Sequence, residues 1–282
     1  MSRAPAIAPG PVLVGLAGPE LLPEECRMLL HPGVAGVILF ARNCVEPDQI
    51  RALCAHIHSL RDPPLLVTVD QEGGRVQRCR AGFTALPSAR TIAAAADPGR
   101  LAWAVGLVLA AELRAVGIDW SFTPVLDLDQ GRSAVIGDRA YAGDPLQVAR
   151  LARGLIDGLH EAGMPSTGKH FPGHGWATAD SHHTLPEDER DWSAIRDRDL
   201  APYRALTRDD RLDSVMTAHV RYPAVDLLPA SYSSHWIADR LRTGLGFAGL
   251  VIADDLGMAG AAGEGSLADR AVRALAAGND LV

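Results

Sequence analysis

Short apolar runs alternate with longer amphipathic segments along the whole chain, and each run ends at a glycine or a polar side chain. Such alternation marks βα units, in which a buried strand is followed by a helix that packs back on the sheet. The runs predict strands over 12–17, 36–40, 65–70, 119–125, 166–170, 214–219, 250–254 and 280–282. Between them the pattern predicts helices over 23–30, 47–60, 99–116, 145–162, 193–207, 234–243 and 266–277. Pro47 and Pro145 suit a first helical turn, Ser266 an N-cap, and Gly117, Gly163 and Gly278 helix exits. With no Ser/Gly-rich linker, this order predicts one domain over 1–282: an α/β chain forming a single (β/α)8 TIM-type barrel that lacks its last helix. That gap would leave apolar flanks of the first and seventh helices uncovered.

The 282 residues are close to the length one such barrel uses. Hydrophobic residues at 48% and charged residues at 22% supply a full core and argue against disorder. A net charge of -7, without a dense Lys/Arg run, gives no general attraction to nucleic acid or to an anionic membrane, so a small-molecule partner is expected. Pro5, Pro9, Gly10 and Pro11 interrupt the stretch a signal peptide would need, and no apolar run reaches membrane-spanning length. Cys26, Cys44, Cys54 and Cys79 show no C-x-x-C spacing and are expected as free thiols in a cytoplasmic protein.

Chemistry in a parallel barrel sits at the C-terminal strand ends. Here the third predicted strand ends at Asp70 and runs into Gln71-Glu72-Gly73-Gly74-Arg75. The fourth leads to Asp127, the fifth to Lys169 and His170, the sixth to His219, and the seventh to Asp254 and Asp255. Singly, each has a plain structural use: Asp127 can cap a turn, His219 can be a hydrogen-bonded rim histidine, and Arg78 or Arg139 can be a surface charge. Together they suit a strongly polar ligand with many hydroxyls, such as a sugar. The run Lys169-His170-Phe171-Pro172-Gly173-His174-Gly175, followed by Asp180-Ser181-His182-His183, has the composition of an active-site loop. His170 and His174 would share a metal face only on a helix, which Pro172, Gly173 and Gly175 oppose. No metal and no cofactor is expected.

These segments, with Val69–Arg78 and Val251–Met258, resemble glycoside hydrolase family 3, and within it the single-domain bacterial β-N-acetylhexosaminidases of cell-wall recycling. The resemblance implies Asp254 as nucleophile, His182 as general acid/base and Asp180 as its partner. It places Asp70, Arg78, Arg139, Lys169 and His170 around a terminal N-acetylglucosamine, with His219 at a further motif position. The implied substrate is a muropeptide sugar and the implied enzyme a monomer. Two departures are the extra His183 and the absent closing helix.

A retaining glycosidase needs one group to attack the anomeric carbon and another to donate and then accept a proton. The resemblance puts imidazole in the second role, with an aspartate two residues earlier to orient it. The adjacent Asp254 and Asp255 also permit a rival route in which they polarise the substrate's own acetamide. A barrel missing its last helix could alternatively bind sugar without turnover. A metal-dependent barrel hydrolase is a third reading.

Overall fold

In the computed structural model, residues 5–178, 185–258, 261 and 265–282 are described. Strands β1 (Val12–Gly15), β2 (Val34–Leu39), β3 (Leu66–Val69) and β4 (Trp120–Ser121) pair in that order, all parallel. A second parallel sheet joins β5 (Thr167–Phe171), β6 (Ser214–Thr217) and β7 (Leu250–Ala253). Most of these strands are buried along almost their whole length, as parallel strands between helices must be.

The two sheets are hydrogen-bonded to each other at both pairs of edges. On one side Val125 bridges Lys169, and the Leu126 N–H donates to the Lys169 carbonyl at 2.6 Å. On the other, Leu281 bridges Ile252, while the Leu13 N–H donates to the Val282 carbonyl at 2.8 Å. The fourth predicted strand is therefore regular only at Trp120–Ser121, because Pro124 has no N–H with which to continue a ladder. The eighth is a single bridging residue rather than a strand.

Most helices lie where the periodicity puts them. Those at Pro47–Ser59, Pro98–Ala115 and Pro145–Glu161 each open on proline, and the Asp144 carboxylate caps the third by accepting from the Leu146 and Gln147 N–H groups. The last two pack so closely that a Cβ at Gly106 would lie 2.1 Å from the Leu155 carbonyl oxygen, and one at Gly158 2.1 Å from that of Trp103. Only glycine permits this approach. The predicted helix at 193–207 is a run whose middle, Ile195–Asp199, is π-type between Trp192–Ala194 and Leu200–Arg208, and the one at 234–243 is π-type over His235–Gly244. Elements the sequence pattern did not predict are a hairpin of Gln71–Gly73 with Val76–Gln77, a second of Arg221–Tyr222 with Asp226–Pro229, and a short helix at Ala89–Ala93.

Met28 in the first helix (Pro23–Leu29) and Val272 in the last (Leu267–Ala277) are exposed. Among the described residues no helix is long and apolar enough to cross a membrane.

One arrangement recurs at the end of the sheets opposite the strand exits. Asp119 Oδ2 accepts the Val67 N–H at 2.9 Å and lies 3.0 Å from His58 Nε2. Asp213 Oδ2 accepts the Ser166 N–H at 2.8 Å and lies 2.7 Å from His160 Nε2. Asp280 Oδ2 accepts the Val251 N–H at 2.8 Å and a bond from Arg242 Nη2 at 2.7 Å. In each case an aspartate before an even-numbered strand position holds the start of the preceding strand to a basic side chain of a flanking helix.

Candidate active site

Residues after the C-terminal ends of β3, β4, β5 and β7 line one cavity of about 430 Å³, with Lys169 and His170 of β5 and Met216 of β6. Its wall includes Asp70, Glu72, Arg78, Arg139, Lys169, His170, His174 and Asp254. The volume lies within the range of ordinary small-molecule sites.

Lys169 is the centre of the charge arrangement. Its Nζ lies 2.7 Å from Asp70 Oδ1 and 2.7 Å from Glu72 Oε1, and the side chain is almost wholly buried. Burial alone would favour the neutral amine, but Asp70 and Glu72 more than offset it and raise the Lys169 pKa, so the residue stays cationic. Glu72 is held in turn by a two-pronged pair with Arg139, Nε to Oε2 at 2.9 Å and Nη2 to Oε1 at 2.8 Å. Burial would push the Glu72 carboxyl up; Arg139 and Lys169 hold it well below the usual carboxylate range. The hairpin carrying Glu72 turns through Gly73 and Gly74, at φ 100° and 56°, a region that favours glycine. Arg78, beyond the hairpin, reaches Asp70 Oδ2 at 3.8 Å, and its buried Nε has no hydrogen-bond partner among the described residues.

His170 is fixed from below by Asp127, whose Oδ2 lies 2.6 Å from Nδ1. Arg139 Nη2 lies 3.4 Å from the other ring nitrogen. The Asp127 carboxylate also accepts the His174 N–H at 2.6 Å, so one buried group holds both ends of the turn that leaves β5. Burial opposes its charge, but His170 and the His174 contacts keep its pKa low.

Asp254 follows β7 directly, and its N–H donates to the Thr217 carbonyl at 3.1 Å. Its Oδ1 accepts the Asp255 N–H at 2.9 Å. Burial raises the Asp254 carboxyl, but the imidazoles of His170 and His219, the Asp255 N–H and Lys169 together leave it below its ordinary value. It is thus ionised, partly exposed and in the cavity, as a carboxylate nucleophile must be. Asp255 differs: it is exposed, does not line the cavity, and its Oδ1 accepts the Gly257 N–H at 2.7 Å.

His219 is fully buried behind the β7 exit. Its Nδ1 lies 2.7 Å from Ser231 Oγ, and Nε2 points at the carbonyls of Asp254 and Asp255 at 3.0 and 3.1 Å. Two carbonyl acceptors require the Nε2–H tautomer, and burial lowers the ring's pKa. The side chain thus holds the backbone that carries Asp254. Asn279 extends the support, donating to the Ser231 carbonyl at 2.8 Å while its Oδ1 accepts from Thr217 Oγ1 at 2.9 Å.

Residues 16–282 match the model of the glycosyl hydrolase family 3 N-terminal domain. The chain belongs to glycoside hydrolase family 3. A relative named beta-hexosaminidase from Alkalilimnicola ehrlichii is 53% identical over 278 residues, spanning 97% of this chain and 80% of that protein. A beta-hexosaminidase from Pseudomonas aeruginosa is 51% identical over 272 residues, covering 96% and 81%. The crystal structure of NagZ from Neisseria gonorrhoeae in complex with N-trifluoroacetyl-D-glucosamine superposes with a TM-score of 0.93 at 46% identity, covering 99% of this chain and 82% of that one.

For this family 3 glycoside hydrolase, the structure brings Asp70, Arg78, Arg139, Lys169, His170 and Asp254 to one cavity and sets His219 behind it. Asp180, His182 and His183 lie outside the described residues. Sequence reasoning gave no role to Glu72; it placed Asp127 among the strand-exit residues, with a turn cap as its plain structural use, and did not see it as the anchor of His170 and His174. The signal for Glu72 was its position two residues past a strand exit, before paired glycines. Asp127 was visible as a strand-exit residue, but its partners were not, because they are 43 and 47 residues away.

Proposed function

We propose that this glycoside hydrolase is a retaining β-N-acetylhexosaminidase that releases terminal N-acetylglucosamine from peptidoglycan-derived muropeptides. The observation that carries the reading is Asp254: an ionised carboxylate in the same cavity as Asp70, Arg78, Lys169 and His170. The beta-hexosaminidase relatives and the N-acylglucosamine bound by the gonococcal NagZ support the sugar class. The edge-to-edge hydrogen bonds through Val125 and Leu281 support a single (β/α)8 barrel over 1–282. A monomer acting in cytoplasmic cell-wall recycling completes the proposal.

In the proposed reaction the Asp254 carboxylate attacks the anomeric carbon from one face as the leaving oxygen takes a proton from His182, with Asp180 orienting that imidazole. Water then attacks the glycosyl ester, and His182 takes its proton. Asp70, Arg78 and Lys169 bind the ring hydroxyls, where charge-assisted hydrogen bonds give both affinity and orientation. Engagement of Asp255 by the Gly257 N–H favours this route over one in which paired aspartates polarise the substrate acetamide.

The test is release of p-nitrophenol from p-nitrophenyl N-acetyl-β-glucosaminide, followed by trapping with a fluorosugar. Turnover that vanishes in Asp254→Ala, with the label on the peptide carrying Asp254, is the expected result. Undiminished turnover in that variant, or inactivation without a label on that peptide, overturns the nucleophile assignment.

A further inference from the structure

Two thiols meet beneath the sugar-binding wall. Cys44 follows the short 3-10 turn Ala41–Asn43 at the β2 exit, and Cys79 directly follows Arg78. Their sulfur atoms are 3.3 Å apart. Neither is in a disulfide, and Cys44 is partly exposed whereas Cys79 is fully buried.

Both sides of the pair are attached to fixed structure. Asn43, next to Cys44, donates from Nδ2 to the Gly18 carbonyl at 2.7 Å and to the Leu16 carbonyl at 3.2 Å. On the other side, Gln71 Oε1 accepts the N–H groups of Arg78 and Cys79 at 2.8 and 3.0 Å, and Gln71 Nε2 donates to the Cys79 carbonyl at 2.9 Å. Gln71 is the residue after Asp70. A displacement of Cys79 is therefore passed to Arg78 and, through Gln71, to Asp70, which Arg78 and Lys169 both approach.

We propose that Cys44 and Cys79 form an oxidisable pair, closed to a disulfide by a hydroperoxide, whose closure moves Arg78 and weakens the sugar site. The Cys44 thiolate attacks a peroxide oxygen, the O–O bond breaks, and Cys44 becomes a sulfenic acid, while the departing oxygen takes up the proton the Cys44 thiol released and leaves as water or an alcohol. Cys79 then attacks the Cys44 sulfur, the S–O bond breaks, and the hydroxide takes the Cys79 proton to leave as water. Two thiols are oxidised by two electrons and one peroxide is reduced. Bond formation draws the sulfur atoms together by about 1.3 Å, to the length a disulfide requires.

The environment assigns the order of events. The hydrogen bond from Cys79 lowers the Cys44 pKa, burial opposes this, and the Arg78 charge adds to the lowering, so Cys44 is the thiol that reaches the attacking form. Cys54 does not compete: burial, then the Asp119 charge, pushes its thiol up to about 12.

The experiment treats the purified 282-residue protein with hydrogen peroxide and maps thiols by peptide mass spectrometry without reduction. The expected product is a peptide pair joined through Cys44 and Cys79, two hydrogens lighter than the sum and restored by dithiothreitol. In the same samples KM for p-nitrophenyl N-acetyl-β-glucosaminide rises on the order of tenfold, the loss of about one charge-assisted hydrogen bond, with a smaller change in kcat. Cys44→Ser should keep the untreated kinetics and lose both responses. Oxidation of Cys44 to a sulfinic acid without a crosslink overturns the pair. A complete crosslink with unchanged KM overturns its link to the site. The kinetic arm rests on the proposed hexosaminidase activity, whereas the crosslink is read by mass. An untreated enzyme that does not turn over therefore refutes the activity and leaves the thiol pair to the mass measurement.

Discussion

His170 Nδ1 lies 2.6 Å from Asp127 Oδ2, joining residues 43 apart in sequence at the floor of the cavity. The same carboxylate receives the His174 N–H, so the β5 exit and the turn after it share one buried anchor. Its removal must disturb the site and the fold together.

For Asp127→Asn, an amide keeps the size of the side chain but removes its charge and turns one acceptor into a donor. Stability is expected to fall by about 1.5–3 kcal/mol, the scale of hydrogen bonds to a charged group. The kcat/KM for an aryl N-acetylglucosaminide falls more than tenfold. Urea unfolding beside steady-state kinetics checks both. An unchanged midpoint means the turn is held by something else.

His219 reaches Asp254 only through backbone carbonyls, so its substitution should act on kcat rather than on substrate affinity. His219→Ala leaves two buried carbonyls without their donor and is expected to lower kcat on the order of tenfold, about 1.4 kcal/mol of barrier. KM stays within about twofold. His219→Gln, whose amide can donate to the same carbonyls, restores part of the rate. A rise in KM with kcat intact would instead put His219 in contact with substrate.

Asp213 gives a prediction for pH. Burial raises its carboxyl, but the Ser166 N–H and hydroxyl and the His160 imidazole bring it below its ordinary value. A lowered folded pKa means that the stabilisation is present above the unfolded value of about 3.9 and is lost as pH falls through the folded value. Asp213→Ala should therefore melt below the parent by roughly 2–4 °C at pH 7, about 1 kcal/mol for a half-exposed group screened by solvent. The gap persists at pH 5 and closes below about pH 4. Calorimetry across that range gives the answer, and a gap that widens toward acid refutes the assignment.

The strand exits were legible because each ends an apolar run at an ionisable residue: Asp70, Lys169, His219 and Asp254 stand out as the first charge or imidazole after buried β-formers. The pairing of Glu72 with Arg139 was not legible, since 67 residues separate them and neither position has a periodic signature. The hairpin carrying Glu72 escaped notice because strands of three and two residues are too short to alternate. His219 was legible as a strand-exit residue, expected either at the substrate or as a rim histidine, whereas the carbonyls it faces belong to a chain segment 35 residues on. Helices opening on Pro47 and Pro145 were placed almost to the residue, because proline at the first turn is a local signal that tertiary packing does not overrule.

The three aspartate clasps at Asp119, Asp213 and Asp280 lie away from the chemistry, and each joins donors from neighbouring elements only. The two parallel sheets are thus fastened piecewise along one end. Exchanging a strand-helix-strand cassette between relatives keeps the local fastening whole when the cut falls after the aspartate. A cut just before it separates the carboxylate from the strand and helix it ties. Crossover points for chimeras follow from these three positions, and the catalytic mouth need not be touched to choose them.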